Sequence, residues 1–326
     1  MTVHDGQIVF IGVDLGGTRI RAAAVGDDGR ILARTETLSD PRRGPAAVLD
    51  TLRQTITELA APLAALAAVG VACAGQIHAD TGVVVQAPNL GWTDVPLAGE
   101  LRRALGVPVT VENDVRAAAW GEFISGAGAA GDSLIAVFVG TGLGSGAVVD
   151  GRLWRGASNA AGEVGHTPAV RDGLPCPCGA RGCLERYVSG SGFQQRFRDA
   201  LAAGTATVLK ARTHGDVERL TAALLYEAAR AGDAFAREVW DDAVRHLTVA
   251  LASYVTLVNP RLLVLGGGVI ETVPPLFDAA AAGIPPLTTI LAREVLRIER
   301  ARLGDWSGVV GAAALARGSA GTLRSP

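Results

Sequence analysis

The chain is poor in sulfur and in aromatic rings: 326 residues hold four cysteines, one methionine and 5% Phe, Trp and Tyr together. Beside abundant alanine, that aromatic scarcity reads as base composition rather than function. Excess charge of either sign is also missing. Thirty Lys and Arg against 32 Asp and Glu give a net charge of -2, which excludes the basic footprint of a nucleic-acid binder. At 49% hydrophobic and 19% charged, the chain is not a disordered tail. The opening "MTVHDGQIVFIGVDLGG" has no basic n-region and carries Asp14 within its apolar run, so it is not a secretory signal. Residues 59–77 hold no charge, but Pro62 and Gly70 interrupt them, and a helix end followed by a buried strand is expected rather than a membrane span. The expected setting is a reducing cytoplasm. No low-complexity linker divides the chain, and no helix-turn-helix fits before Gln7.

Glycine is what the chain has in excess, at 42 residues, a composition suited to tight turns and to close backbone approach. Residues 7–38 read as three strands, "QIVFIGVD", "RIRAAAVG" and "ILARTETL", with "LGGT" after the first and an Asp28-Gly29 turn after the second. A helix is expected after Pro45, then a buried strand in "LAAVGVACAG". Residues 133–154 repeat the scheme about 125 residues on: "SLIAVFVG", the loop "TGLGSG", the strand "GAVVD", an Asp150-Gly151 turn and "RLW". The duplication predicts two mixed α/β halves facing one another, 1–120 and 121–306, divided within or just after the helix "DVRAAAWGEFIS". A long helix over 234–258, a buried strand "RLLVLGGGV" and a last helix in "GVVGAAALAR" complete the expectation.

The loops "DLGGT" (14–18) and "GTGLGSG" (140–146) match neither the Walker pattern nor G-x-G-x-x-G. Either alone fits a plain hairpin turn. Their equivalent places in a duplicated scheme make them candidates for a phosphate clamp, with Thr18 and Thr141 adding hydroxyl donors. Asp14 then suits a hydrated Mg²⁺, or else an Asx turn. Asn113-Asp114, where a strand meets a helix, fits an ordinary helix cap. The same Asp, beside two phosphate loops, fits a base for a substrate hydroxyl.

Three of the four cysteines fall between 176 and 183, ten residues after His166. His166, Cys176, Cys178 and Cys183 are a Cys₃His set of the kind that takes zinc in tetrahedral geometry, and four protein ligands leave no open position, so the metal would be structural. A reducing cytoplasm and the odd cysteine count disfavour a disulfide. Glu163 and Glu185 flank the ligands. Each by itself fits a solvated surface charge, but carboxylates beside an imidazole also suit vicinal sugar hydroxyls.

In family order, "GVDLGGTRIRAAAV", "APNLGW", "VENDVRAAAWGEF", "GTGLGSGAVVDGRLWRGASNAAGEVGH", "CPCGARGCLE" and "LVLGGGV" resemble the ROK sugar kinases and repressors over nearly the whole chain. G-E-x-G-H followed by C-x-C-G-x-x-G-C-x-E is the specific part. The resemblance implies a two-domain actin-like ATPase (ribonuclease H-like) fold with the active site in the cleft and a last helix, about 307–318, returning to the N-terminal domain. It implies phosphotransfer from MgATP to a hexose, with Asp114 as base. Gly75, Asn89, Asn113, Glu163, His166 and Glu185 would hold the sugar, with His166 serving zinc through its other ring nitrogen. Gly16, Gly17, Thr18, Thr141 and Gly142 would line the phosphates, and Gly267 with Gly268 would approach the adenosine. A homodimer or higher homo-oligomer is implied; the near-neutral charge argues against a nucleic-acid partner, and no membrane partner is expected. "PNLGW" points to a glucokinase-like pocket; kinases for N-acetylmannosamine, N-acetylglucosamine or fructose share most other residues, and polyphosphate is the alternative donor. A sugar-responsive regulator is the alternative from another class, disfavoured because repressors of the family carry an N-terminal DNA-binding extension and the first strand is expected by about residue 8. Ala74-Gly75, His78 and Arg19 depart from the usual Pro-Gly, acidic residue and Lys.

Overall fold

A computed structural model describes residues 8–63, 65–128 and 131–322. The first seven residues, on which the expected absences of a leader peptide and a DNA-binding segment largely rest, lie outside them. β1 (Ile8–Leu15), β2 (Arg19–Gly26) and β3 (Ile31–Leu38) form an antiparallel meander. α1 (Pro45–Ala60) begins with proline at N1, where its missing N–H costs nothing. Val48, Leu52, Ile56 and Leu59 share its buried face. β4 (Ala65–Cys73) then joins β1 in parallel. The described residues of the uncharged stretch 59–77 thus include a helix end and a buried strand, and no helix among the described residues is long and apolar enough to cross a membrane. A small sheet of β5 (Gln76–Ile77), β6 (Val84–Ala87) and β7 (Trp92–Val95) precedes α2 (Leu97–Leu105). β8 (Val109–Asn113) pairs with β4 in parallel and runs straight into α3 (Asp114–Ser125).

β9 (Leu134–Val139), β10 (Leu143–Val149) and β11 (Arg152–Leu153) repeat the meander. Asp150 and Gly151 take φ of 51° and 69°, the positive pair that a two-residue type I′ hairpin requires, and Val149 sits opposite Arg152. The loop before β10 is shorter than the sequence implied: the strand starts at Leu143, not Gly146, because Leu143, Ser145 and Ala147 point into packed surroundings. Next come α4 (Glu185–Val188), α5 (Gly190–Ala202), α6 (Leu209–Arg212), α7 (Ala222–Arg230) and the 25-residue α8 (Ala234–Val258). β12 (Leu262–Gly266), α9 (Gly268–Thr272), α10 (Pro274–Gly283), α11 (Ile290–Val295), β13 (Arg297–Arg300) and α12 (Ser307–Thr322) follow.

The strand orders are β3-β2-β1-β4-β8 and β11-β10-β9-β12-β13, the same winding twice. This is the actin-like ATPase fold. Both faces of the first sheet are covered, so β1 is buried continuously from Val9 to Val13 rather than in alternation. Val9, Ile11 and Val13 pack with Leu52 and Ile56 of α1, each worth about 1.5–3 kcal/mol when fully buried. Phe10 and Ala68 pack with Val309 and Ala313 of α12. Only glycines permit that contact. A Cβ on Gly12 or Gly70 would lie 1.9 Å from the Val309 or Ala312 carbonyl oxygen, and one on Gly311 only 1.7 Å from that of Ala117.

The chain divides into two compact units, the first reaching to Ser133 and including Gly146–Gly162 and everything from Arg302, the second Leu134–Ser145 and Glu163–Ala301. It crosses between them four times, so no single boundary at residue 120 separates them. α3 stays wholly in the first unit because Gly121 packs on the Ser307 carbonyl and Glu122 anchors the returning chain. The fully buried Glu122 carboxylate accepts from the amides of Ala127, Arg302 and Leu303 at 2.8–3.1 Å.

Candidate active site

In the first unit, β1, β4 and β8 lie side by side in parallel, and their carboxyl ends bring Asp14, Gly75 and Asn113 together. Asn113 caps α3 in the usual manner: its Oδ1 accepts from the Val115 and Arg116 amides at 3.1 Å. Its Nδ2 donates to the Gly75 carbonyl at 3.2 Å and to Asp114 Oδ1 at 3.0 Å. Cap and candidate base are therefore one assembly, and the two readings of Asn113-Asp114 do not compete. Asp114 begins α3, at the positive end of that helix's dipole. Asp14, one quarter exposed, is pushed up to about 7, first by burial and then by the Asp114 carboxylate, with Arg21 opposing. Gly17 packs against Asn89, whose carbonyl oxygen would lie 2.7 Å from an added Cβ, and Gly75 packs against Gln86 and Ala87. The structure thus assembles Asp14, Gly16, Gly17, Gly75, Asn89, Asn113 and Asp114, with Thr18 exposed at the turn.

In the second unit, the Gly140–Gly142 loop follows β9, and Gly267 lies against Val139 at the end of the same strand. Gly267 has φ of 88°, and Gly268 begins α9 with open space at its Cβ position. Thr141, Gly142, Gly267 and Gly268 thus share the carboxyl edge of β9 and β12, where open α/β sheets bind ligands. Glu185 Oε2 accepts from the Leu143 amide at 2.9 Å, and Gly165 packs on the Leu143 carbonyl. The Glu163 carbonyl accepts from the His166 amide at 3.0 Å.

The ligand atoms of His166, Cys176, Cys178 and Cys183 all lie within 4.8 Å of one another. Cys176 Sγ is 3.7 Å from His166 Nδ1, and Cys178 Sγ is 3.7 Å from Cys183 Sγ. Arms of about 2.3 Å to sulfur and 2.0–2.1 Å to nitrogen give a zinc tetrahedron with edges of about 3.8 and 3.5 Å, so the donor set fits that ion. A disulfide, at about 2.05 Å, is excluded, and all four cysteines are free thiols. The Ala180 amide lowers the Cys178 pKa toward the thiolate, while burial raises that of Cys183. Gly182, at φ 74°, turns the segment where a Cβ would meet the Val170 carbonyl at 1.7 Å. The Tyr187 hydroxyl accepts from the Leu174 amide at 2.8 Å, and its ring packs on His246 of α8 at 4.9 Å, seating the cysteine loop on the long helix.

From residue 10 to residue 319 the sequence matches the profile of the ROK family. The chain belongs to the ROK family. It is 35% identical over 311 residues to glucokinase of Streptomyces coelicolor, covering 94% of this chain and 97% of that one. A ROK family glucokinase from Streptomyces griseus, solved with glucose and AMPPNP, is 35% identical with a TM-score of 0.78, covering 95% of this chain and 99% of that one. The ROK hexokinase from Thermus thermophilus is 30% identical with a TM-score of 0.83, covering 96% and 99%.

Sequence reasoning missed three charged residues of this ROK chain. Glu112, 2% exposed, accepts from Arg116 Nε at 3.0 Å and the Asn113 amide at 2.9 Å through Oε1, and from Arg155 Nε at 2.7 Å through Oε2. Arg116 is equally buried. The available signal was the four-residue spacing of two opposite charges across an otherwise apolar strand–helix junction. Arg21 was missed too: it joins Asp14, Glu36 and Asp305.

Proposed function

We propose that the protein is an ATP-dependent hexose kinase that phosphorylates glucose. The observation that carries the reading is the Asn113-Asp114 assembly, a carboxylate held by a capping amide at the carboxyl edge of a parallel sheet. Asp114 accepts the proton of the attacking sugar hydroxyl as its oxygen bonds to the γ-phosphorus and the bond to the β-phosphate bridging oxygen breaks, releasing ADP. The transition state is loose, so orienting the hydroxyl contributes more than base strength. Asn113, Asn89, Gly75, Glu163, His166 and Glu185 hold the sugar hydroxyls. Gly16, Gly17, Thr18, Thr141 and Gly142 line the phosphates, and Gly267 with Gly268 lets the adenosine approach. Mg²⁺ entering with ATP supplies charge neutralisation on the phosphates, and Asp14 is the carboxylate that would hold its water shell. Zinc on His166, Cys176, Cys178 and Cys183 supplies a fixed local fold and no reacting atom. The proximity of His166 Nδ1 to Cys176 supports that nitrogen as the metal ligand, with Nε2 turned to the sugar. Family resemblance adds a homodimer, read by light scattering.

The test is a coupled ADP-release assay over a panel of hexoses and N-acetylated amino sugars, run with ATP, and a parallel sugar-phosphate assay with polyphosphate. Glucose with ATP is expected to give the highest kcat/KM. Absence of phosphorylation across the panel overturns the kinase; a faster N-acetylated sugar or polyphosphate reassigns substrate or donor.

A further inference from the structure

Glu185 sits two residues beyond the last cysteine of the metal set, yet its carboxylate is spent partly elsewhere. Oε2 accepts from the Leu143 amide at 2.9 Å, and a Cβ on Gly142 would stand only 2.8 Å from that oxygen. The residues that follow Glu185 hold the same loop: the Gly190 amide donates to the Gly140 carbonyl at 2.9 Å and the Ser191 amide to that of Thr141 at 3.0 Å. The Gly140 amide is turned inward onto the Gly142 carbonyl at 2.9 Å. With the Gly140 and Leu143 amides engaged, Thr141 and Gly142, both exposed residues, carry the loop amides left to face an anion. Gly140, Thr141 and Gly142 are small and, beyond the buried Leu143, bring little side-chain packing to hold this shape, so the carboxylate and the α5 amides help set it.

We infer that Glu185 is a positioning residue for the nucleotide: its Oε2 fixes the 140–143 loop for the ATP phosphates, while Oε1 serves the sugar. The cysteine segment therefore supports phosphate binding as well as sugar binding, and one side chain links the two substrates. This rests on the kinase reading above.

The experiment measures binding of a non-hydrolysable ATP analogue with Mg²⁺ in the absence of sugar, beside glucose binding alone and metal content, by calorimetry and elemental analysis. Glu185→Ala should weaken the analogue by about tenfold or more, the worth of a hydrogen bond to a charged acceptor. Glu185→Gln keeps a neutral acceptor for Leu143, and should hold analogue affinity within about threefold while glucose affinity falls by more than that. Metal content should match the wild type in both. Should Glu185→Ala fail to fold, Glu185→Asp withdraws the acceptor by one methylene, with the same expected loss. Analogue affinity unchanged in Glu185→Ala or Glu185→Asp, with the metal in place, overturns the inference and leaves the kinase standing. A wild-type chain that binds no analogue and phosphorylates no hexose overturns both.

Discussion

Arg116 Nε meets Glu112 Oε1 at 3.0 Å with both side chains 2% exposed, immediately behind the Asn113-Asp114 junction. Breaking a buried pair by removing one partner strands the other charge at a cost of about 3–5 kcal/mol, whereas replacing both with apolar groups can be neutral. Arg116→Met should therefore lower unfolding free energy in urea by that amount, and Glu112→Leu added to it should recover part. The recovery is partial because Arg155 loses its acceptor. Equal stability of wild type and Arg116→Met would contradict the pairing.

Asp114→Asn removes the proposed base and leaves the cap intact, since Asn113 Oδ1 serves the helix amides independently. Turnover should fall by about 10²–10⁴-fold, with glucose affinity within a few-fold of wild type by calorimetry. Near-normal kcat would sink the role of Asp114.

Asp14 rises from 3.8 to about 7, so the folded chain binds its proton more tightly than the unfolded chain does. Its contribution to stability is complete below the unfolded value and is lost as pH rises through about 7. The stability of the wild type relative to Asp14→Asn should therefore decline from pH 4 toward pH 7 or so. In Asp114→Asn the ¹³C carboxyl titration of Asp14 should move down, because one of the charges raising it is gone. An unmoved titration would mean the two carboxylates do not interact.

Elemental analysis should find one zinc per chain. Exhaustive chelation should expose the thiols of Cys176, Cys178 and Cys183 to alkylation and abolish glucose binding, while Cys73, buried at the end of β4, stays protected. Metal removal that leaves fold and sugar affinity intact would refute a structural ion.

The elements with local causes were legible. The meander strands and both Asp-Gly turns follow from apolar runs and residues that tolerate positive φ. The Cys₃His set was legible because its four donors lie within 18 residues. The start of β10 was misplaced because glycines at 144 and 146 resemble loop residues until neighbours bury the strand. Glu185 carried a sugar expectation, and nothing near it in the chain announces Leu143, 42 residues away.

The sequence by itself determined the duplicated meander, the Cys₃His cluster and the cap at Asn113, because each depends on residues close together in the chain. Only the tertiary structure decided that Asp14 shares the field of Asp114, that Glu112 pairs two arginines, and that α12, expected to return to the N-terminal domain, packs there on Gly12, Gly70 and α3. Charge interactions and backbone contacts depend on distances of a few ångströms, and sequence separation does not encode those until the strands have paired.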